Sequence, residues 1–222
     1  MTMFFAIMAL LASCEDAAND TWHAAALEAY MDVLEDRSVF YHEMWGWRDG
    51  VGAFGHGGSE ATLLTDFLTE VTDDNYIYCF YIRQFALLIL EGDGSPLLIL
   101  EMWPGGCRLV LHYRLESGTI HGHTFPLRGF FPSMDGIVGG WNATAGDISR
   151  LHSRYGRLER EWLYSWIWLS EYELMRVNGE LMEFDAANEI IGAAIDYFMS
   201  GEPVTFHPFT TETFQAVFLG ED

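Results

Sequence analysis

The chain has 222 residues, of which half are hydrophobic and 15% aromatic, so it can bury a sizeable core and wholesale disorder is excluded. Its 33 acidic residues outnumber its 11 basic residues, all of them arginine, and the formal net charge is −22. Such a charge repels nucleic acid and anionic membrane surfaces, and it favours a basic protein or another cationic ligand as partner. Adaptation to high salt and general solubility are alternative explanations of the same charge.

The N-terminus carries an apolar run over residues 3–12, followed by Leu11-Ala12-Ser13-Cys14 and an acidic stretch. The run is too short to cross a bilayer as a helix, but it has the length of the apolar region of a signal peptide. The four residues ending at Cys14 resemble the lipobox of bacterial lipoproteins. The resemblance implies that 1–14 is a signal segment, that Cys14 is lipidated, and that the protein is anchored in the cell envelope. No Lys or Arg precedes the run, which departs from that family, and a buried N-terminal helix or strand in a cytoplasmic protein is the alternative.

Two helices are predicted next, at 20–36 with Asp20 or Thr21 as cap, and at 59–71 with Ser59 as cap. A block of strands joined by short turns follows. Its five predicted members are 75–83, 85–91, 96–103, 107–116 and 119–125. Cys79 and Cys107 fall within these strands, where either a disulfide or two buried thiols would fit.

The C-terminal part predicts two more helices. Apolar residues recur every three or four positions from Asp147 to Trp162, and a last helix runs from 186 to 200 behind a cap at Asp185. Between them, Asn178-Gly179 predicts the turn of a hairpin within 163–184, and residues 203–219 read as a final strand. Arginines at 150, 154, 157 and 160 would line one side of the helix that begins at Asp147. They are either a docking stripe for an acidic partner or local ion pairs.

The fold class predicted from these elements is α+β. A single domain over 20–222 would contain an antiparallel β-sheet or partial barrel, with two N-terminal helices and two further helices in the C-terminal half.

Three histidines are predicted to converge on the hairpin within 107–125. If Ser117-Gly118 forms a two-residue loop, Arg114 lies opposite His121 and His112 lies opposite His123. Directly paired residues point to the same face, as do residues two apart on one strand. His112, His121 and His123 therefore share one face with Arg114 beside them.

Three neighbouring imidazoles are a plausible set of metal ligands, for zinc or for iron or copper. His121 and His123, with His112 on the next strand, resemble the zinc site of α-carbonic anhydrases, and "SGTIHGH" resembles the first histidine motif of cupins. Either resemblance implies activation of water or oxygen, with Arg114 orienting an anionic substrate. Cupins would also require a glutamate that is missing here. The alternative is the solvated polar face of a half-buried sheet, and a three-residue loop would move His121 and His123 to the other side.

Two functions remain open from the sequence. The first is an acidic, lipid-anchored, non-catalytic domain that binds a ligand or protein. The second is a metal-dependent enzyme that uses His112, His121 and His123.

Overall fold

The structure is a computed structural model that describes part of the chain. The described residues are 22–44, 60–73, 81–90, 96–103, 107–125, 131–141, 145–154, 157–169, 174–210, 212–213 and 216–217. The predicted lipobox at 11–14, Cys79 and the side chain of Cys107 lie outside them, so lipidation and the disulfide stay predictions. Within the described ranges, no helix combines the length and apolar character needed to cross a membrane.

The elements within the described residues form two sheets and three helices. In chain order they are α1 over 22–34, β1 Phe40–Met44, β2 Glu60–Thr62, α2 Leu64–Asp73, β3 Tyr81–Ile89, β4 Pro96–Trp103, β5 Cys107–Arg114, β6 Thr119–Phe125, β7 Phe131–Pro132, β8 Ile137–Trp141, β9 Ala145–Arg154, β10 Arg157–Leu169, β11 Leu174–Val177, β12 Glu180–Glu183, α3 Phe184–Met199 and β13 His207–Pro208. The first sheet has the order β13-β3-β4-β5-β6-β1-β2, and the second has the order β12-β11-β10-β9-β8-β7. All pairs are antiparallel except β1 with β6, so the predicted β-rich, antiparallel character is confirmed.

Three apolar clusters stack these elements into four layers. On one face of the first sheet, Phe85, Leu98 and Leu111 pack against Tyr30 of α1 and Phe67 of α2. The Tyr30 hydroxyl donates to the Pro96 carbonyl at 2.6 Å, which ties α1 to the centre of the sheet.

The opposite face of the first sheet packs against the second sheet through Ile99, Val110, Val138 and Leu151. The far face of the second sheet is covered by α3, whose Phe198 lies in one cluster with Ile148 and Trp166. The order of layers is therefore helices, sheet, sheet, helix. Polar residues in the centre of the facing sides of the two sheets are therefore shielded from water.

The predicted α+β fold class is wrong. Strands make up 54% and helices 28% of the described residues, and there are two sheets and three helices rather than one sheet and four helices. The largest difference is the helix predicted from Asp147, which is instead the antiparallel pair β9 and β10. Ile148 faces α3 whereas Leu151 faces the first sheet, because β9 is covered on both sides. Apolar residues three apart on a doubly buried strand imitate a helical period.

Smaller differences concern the start of the second helix and the C-terminal segment. Residues 60–62 are a strand, and the second helix begins at Leu64 rather than at Ser59. Of the predicted strand 203–219, the described part contains β13, an isolated bridge between Pro203 and Ser133, and helical residues at 212–213 and 216–217. The hairpin turn is confirmed, since Asn178 and Gly179 both have positive φ and join β11 to β12.

Candidate functional site

The three predicted histidines lie together on β5 and β6. Residues 115–118 form a four-residue turn, so His112 pairs with His121, and Val110 pairs with His123. The predicted pairing of Arg114 with His121 is wrong by two residues, and Arg114 pairs with Thr119. A shift of two keeps every side chain on its predicted face, because side chains alternate with a period of two.

The histidine cluster, defined as His112, His121 and His123, is enclosed between the two sheets. The ring centroids of His112 and His123 are 5.3 Å apart with nearly parallel planes, and those of His112 and His121 are 5.6 Å apart. The exposed fractions of the three residues are 2%, 7% and 3%, in sequence order. The alternative of a solvated polar face is therefore wrong.

The ring of His112 is buried within the cluster. Neither of its ring nitrogens forms a hydrogen bond of normal geometry. Burial lowers the pKa of His112 well below its ordinary value of 6.5, and the charges of His123, His121 and Arg114 lower this pKa further, whereas a weak contact with the His121 backbone opposes the change. The ring is therefore neutral at neutral pH, with two nitrogen atoms held away from water at a cost in free energy.

His121 is connected to the surface by two hydroxyl groups. Its Nε2 lies 3.2 Å from Thr119 Oγ1, which lies 2.6 Å from Oγ of the exposed Ser117. The ring of Tyr41 stacks on His121 with centroids 5.1 Å apart. No local sequence pattern pointed to Tyr41, because it lies on β1, which pairs in parallel with β6 across a long connection. The same register sets Glu43 opposite His123.

Three further described histidines make contacts outside this cluster. His42 contacts Thr124 Oγ1 at 2.8 Å and packs on Phe67. His152 pairs with Glu161 at 3.0 Å on β9 and β10, and His207 lies against Phe85. Across the described ranges, no three His, Cys, Asp or Glu side chains are arranged to hold a metal ion.

Buried ion pairs accompany the histidines between the sheets. Asp147 pairs with Arg160, whose guanidinium lies 4.2 Å from the Trp162 ring centroid. Burial raises the pKa of Asp147 and lowers the pKa of Arg160, and the attraction between the two charges opposes both changes. Glu101 and Arg108 form a second pair at 2.5 Å. This layer therefore holds both charged and neutral polar groups out of water.

Most described arginine side chains are buried or half-buried, whereas most described carboxylate side chains are exposed. Arg108 and Arg160 are 12% and 10% exposed at their side chains, and Arg114, Arg150 and Arg176 are half-buried. Among arginines with described side chains, the exposed ones are Arg37, which pairs with Asp32 and Glu35, and Arg83, which stacks on Trp103. Most described Asp and Glu side chains are exposed, so the outer surface of this part is strongly negative.

The predicted arginine stripe does not form. Arg150 and Arg160 lie on two paired strands rather than on one helix. Arg150 points to α3, where it donates to the Tyr197 hydroxyl at 3.1 Å, and Arg160 points to the first sheet, where it lies over Phe125. Opposite faces of a sheet cannot form one docking stripe.

Comparisons of the chain with protein-family models, with curated proteins and with solved structures gave no match. A function for the chain therefore has to be inferred from the geometry and charge of its own residues.

Proposed function

We propose that the chain is a non-catalytic binding domain for a basic protein or another cationic ligand. The observation that supports this is the separation of charge between interior and surface. Arg108 and Arg160 neutralise buried carboxylates, whereas exposed acidic residues such as Glu60, Asp66 and Glu189 have no arginine beside them in the described part of the chain. A surface field of one sign attracts cationic partners, speeds their association and repels nucleic acid.

An anchored position in the cell envelope is a further part of this proposal. It rests on the resemblance of Leu11-Ala12-Ser13-Cys14 to a lipobox. Lipidation of Cys14 would hold the acidic domain near a membrane surface that its own charge repels. The domain would then face partners in the envelope rather than lipid headgroups.

Calorimetric titration with two synthetic helix-forming peptides tests the proposed function. The peptides have matched length, one built from Leu and Lys and the other from Leu and Glu. We expect the basic peptide to bind in about 0.1 M NaCl and to bind about tenfold more weakly, or not at all, in about 1 M NaCl. The acidic peptide should not bind. Absence of binding by the basic peptide in the lower salt, or equal binding by both peptides, would contradict the proposal.

A second candidate function is metal binding at the histidine cluster. The observation that favours it is the pair of buried ring nitrogens on His112 that have no hydrogen-bond partner. Neutral imidazole nitrogens suit zinc or iron, and a bound metal would activate water or oxygen. Binding would require at least one ring of the cluster to turn, because the rings as placed are not arranged around a metal ion. Arg114 would orient an anionic substrate.

Zinc titration of chelator-treated protein tests this candidate. We expect one zinc ion per chain to survive gel filtration in the native protein and in His152→Leu, whose histidine pairs with Glu161 outside the cluster. We expect His112→Leu to lose the zinc. If native protein retains no zinc, or if both variants retain it equally, the histidine cluster is not a metal site.

A further inference from the structure

We propose that the basic partner docks on the outer face of α3 as an amphipathic helix with a row of Lys or Arg beside a row of apolar residues. This inference rests on the proposed function and adds the surface and the form of the ligand. The α3 outer face is defined by two exposed stripes. The acidic stripe contains Asp185, Glu189, Gly192 and Asp196, and the apolar stripe contains Ala186, Ile190, Ala193 and Tyr197.

The two stripes follow from the helical period. With about 100° per residue, the three acidic residues fall within an arc of about 40°, and the apolar stripe lies beside them. The inner face of α3, which contains Ala187, Ile191, Ala194 and Phe198, is buried against the second sheet. The inner face therefore supplies the apolar packing that holds the helix on the sheet, and Tyr197 is the member of the outer face that also bonds to the sheet, through Arg150.

The apolar stripe has the spacing of a helix that packs on another helix. Its four residues recur at intervals of four, three and four, which is the pattern of anchors in helix recognition. Ile190 is 38% exposed and Tyr197 is 44% exposed. Exposed apolar side chains in a row of this kind are typical of an interaction site.

The acidic stripe lacks cations to balance it. Within the part of the chain that the structure describes, no arginine forms an ion pair with Asp185, Glu189 or Asp196. Arg150 reaches this side of α3 but donates to the Tyr197 hydroxyl.

Two electrostatic costs follow within the helix. Asp185 and Glu189 are four residues apart and repel each other. Asp196 lies in the last turn, which contains no basic residue, and a negative charge there opposes the helix dipole. Cations from a partner would relieve both costs.

Gly192 is an independent indication of a close contact. It lies in the middle of α3, where glycine destabilises a helix, and a Cβ built on it would meet no atom within 4 Å. Packing among the described residues therefore gives no reason for glycine at this position. A partner helix that crosses the acidic stripe beside Ala193 could approach the α3 backbone closely there.

The negative charge of the α3 outer face favours one kind of binding partner over the others. A second copy of this chain would bring a second acidic stripe against the first, which is repulsive. An anionic membrane surface is repelled for the same reason. A basic amphipathic helix satisfies the apolar stripe and the acidic stripe together.

Two pairs of variants test the docking face with a fluorescein-labelled Leu/Lys peptide and fluorescence anisotropy in about 0.1 M NaCl. The first pair separates local from general electrostatics. Glu189→Lys with Asp196→Lys should weaken binding by about tenfold or more. Glu28→Lys with Glu212→Lys changes the net charge equally, at exposed sites elsewhere, and should weaken binding by less than about threefold.

The second pair separates contact from charge, because neither substitution changes the net charge. Gly192→Ala and Gly192→Gln should both raise the melting temperature, since either residue is a better helix former than glycine. Gly192→Gln should nevertheless weaken peptide binding by about tenfold, because its side chain holds the partner away, whereas Gly192→Ala should change it by less than about threefold.

The possible results distinguish this inference from the proposed function. If the native protein does not bind the basic peptide, the proposed function fails and this inference fails with it. If both double charge reversals weaken binding equally, or if Gly192→Gln binds as well as Gly192→Ala, the proposed function stands and the α3 docking face is wrong. If the native protein is a dimer by light scattering and Ile190→Asp makes it a monomer, a second copy occupies the face and the inference is overturned.

Discussion

Replacing His112 with leucine is expected to raise the free energy of unfolding by about 1–3 kcal/mol at neutral pH in the presence of a chelator. The leucine side chain removes two ring nitrogens that are buried without hydrogen bonds, and its surroundings include the buried apolar residue Leu97 on the paired strand. Chemical denaturation measures this difference. A loss of stability would show that the contacts of the His112 ring with His121 and His123 outweigh the cost of its buried nitrogens.

The same variant is expected to resist acid better than the native protein. The folded-state pKa of His112 lies below its ordinary value of 6.5, so at lower pH the unfolded state binds more protons than the folded state. Above about pH 6.5 the imidazole is neutral in both states, so its titration does not change stability. Below that pH the native protein loses stability as the pH falls toward the folded-state pKa, with a slope of at most about 1.4 kcal/mol per pH unit. His112→Leu lacks this slope.

His152→Leu is the matched control, since His152 is partly exposed and pairs with Glu161. We expect it to change stability at neutral pH by no more than about 0.5 kcal/mol, and to retain the acid-dependent loss seen in the native protein. Urea midpoints measured between pH 7 and pH 5, at about 0.1 M salt, give both slopes. Parallel curves for the native protein and His112→Leu would contradict the assignment of a buried neutral imidazole.

Asp147→Asn is expected to lower the free energy of unfolding by about 3–5 kcal/mol. The asparagine amide leaves the Arg160 guanidinium buried between the sheets without its counter-charge. Removing one partner of a buried ion pair lowers the free energy of unfolding far more than removing both partners does. Denaturant unfolding measures the loss. A change below about 1 kcal/mol would mean that water or another group compensates Arg160.

The double variant Asp147→Leu with Arg160→Met is the control for that prediction. Removing both charges together should restore most of the stability lost in Asp147→Asn, because neither desolvation cost remains. If the double variant is as unstable as Asp147→Asn, packing at these positions, rather than charge, determines their contribution.

The elements that the sequence predicted well are those with one buried face. Helix α3 was predicted over 186–200 and occupies Phe184–Met199, because its apolar residues form a single stripe against the second sheet. β9 was missed because it is covered on both faces, which removes the alternation that identifies a strand. The first part of β10 was included in the same predicted helix. A bulge between Trp162 and Tyr164 also changes which face the later residues of β10 occupy.

The histidine cluster was predictable because it depends on one local hairpin. Its members stayed on one face even though the turn is longer than predicted, since the error of two residues preserves the alternation. Burial of the cluster could not be predicted, because it depends on packing by the second sheet. Part of that sheet, β9 and the start of β10, was predicted to be a helix. The contact of Tyr41 with His121 could not be predicted either, because parallel pairing of β1 with β6 joins residues about eighty positions apart in the chain.

The α3 docking face combines predictable and unpredictable parts. The periodicity of 186–200 predicted the buried stripe of α3, and the acidic and apolar residues between its members follow from the same period. Whether those residues are exposed depends on what covers the helix, and the sequence does not contain this information in any local pattern. The inward orientation of Arg108 and Arg160 depends in the same way on partners distant in the chain or on the neighbouring strand.

The affinity of the full chain for Leu/Lys peptides of one length and increasing lysine content tests the central claim most directly. An acidic binding domain predicts a dissociation constant that falls with each added lysine in about 0.1 M NaCl, and a series that converges in about 1 M NaCl. The same dissociation constant for every peptide in the lower salt would contradict the account, because recognition would then not depend on the charge of the partner.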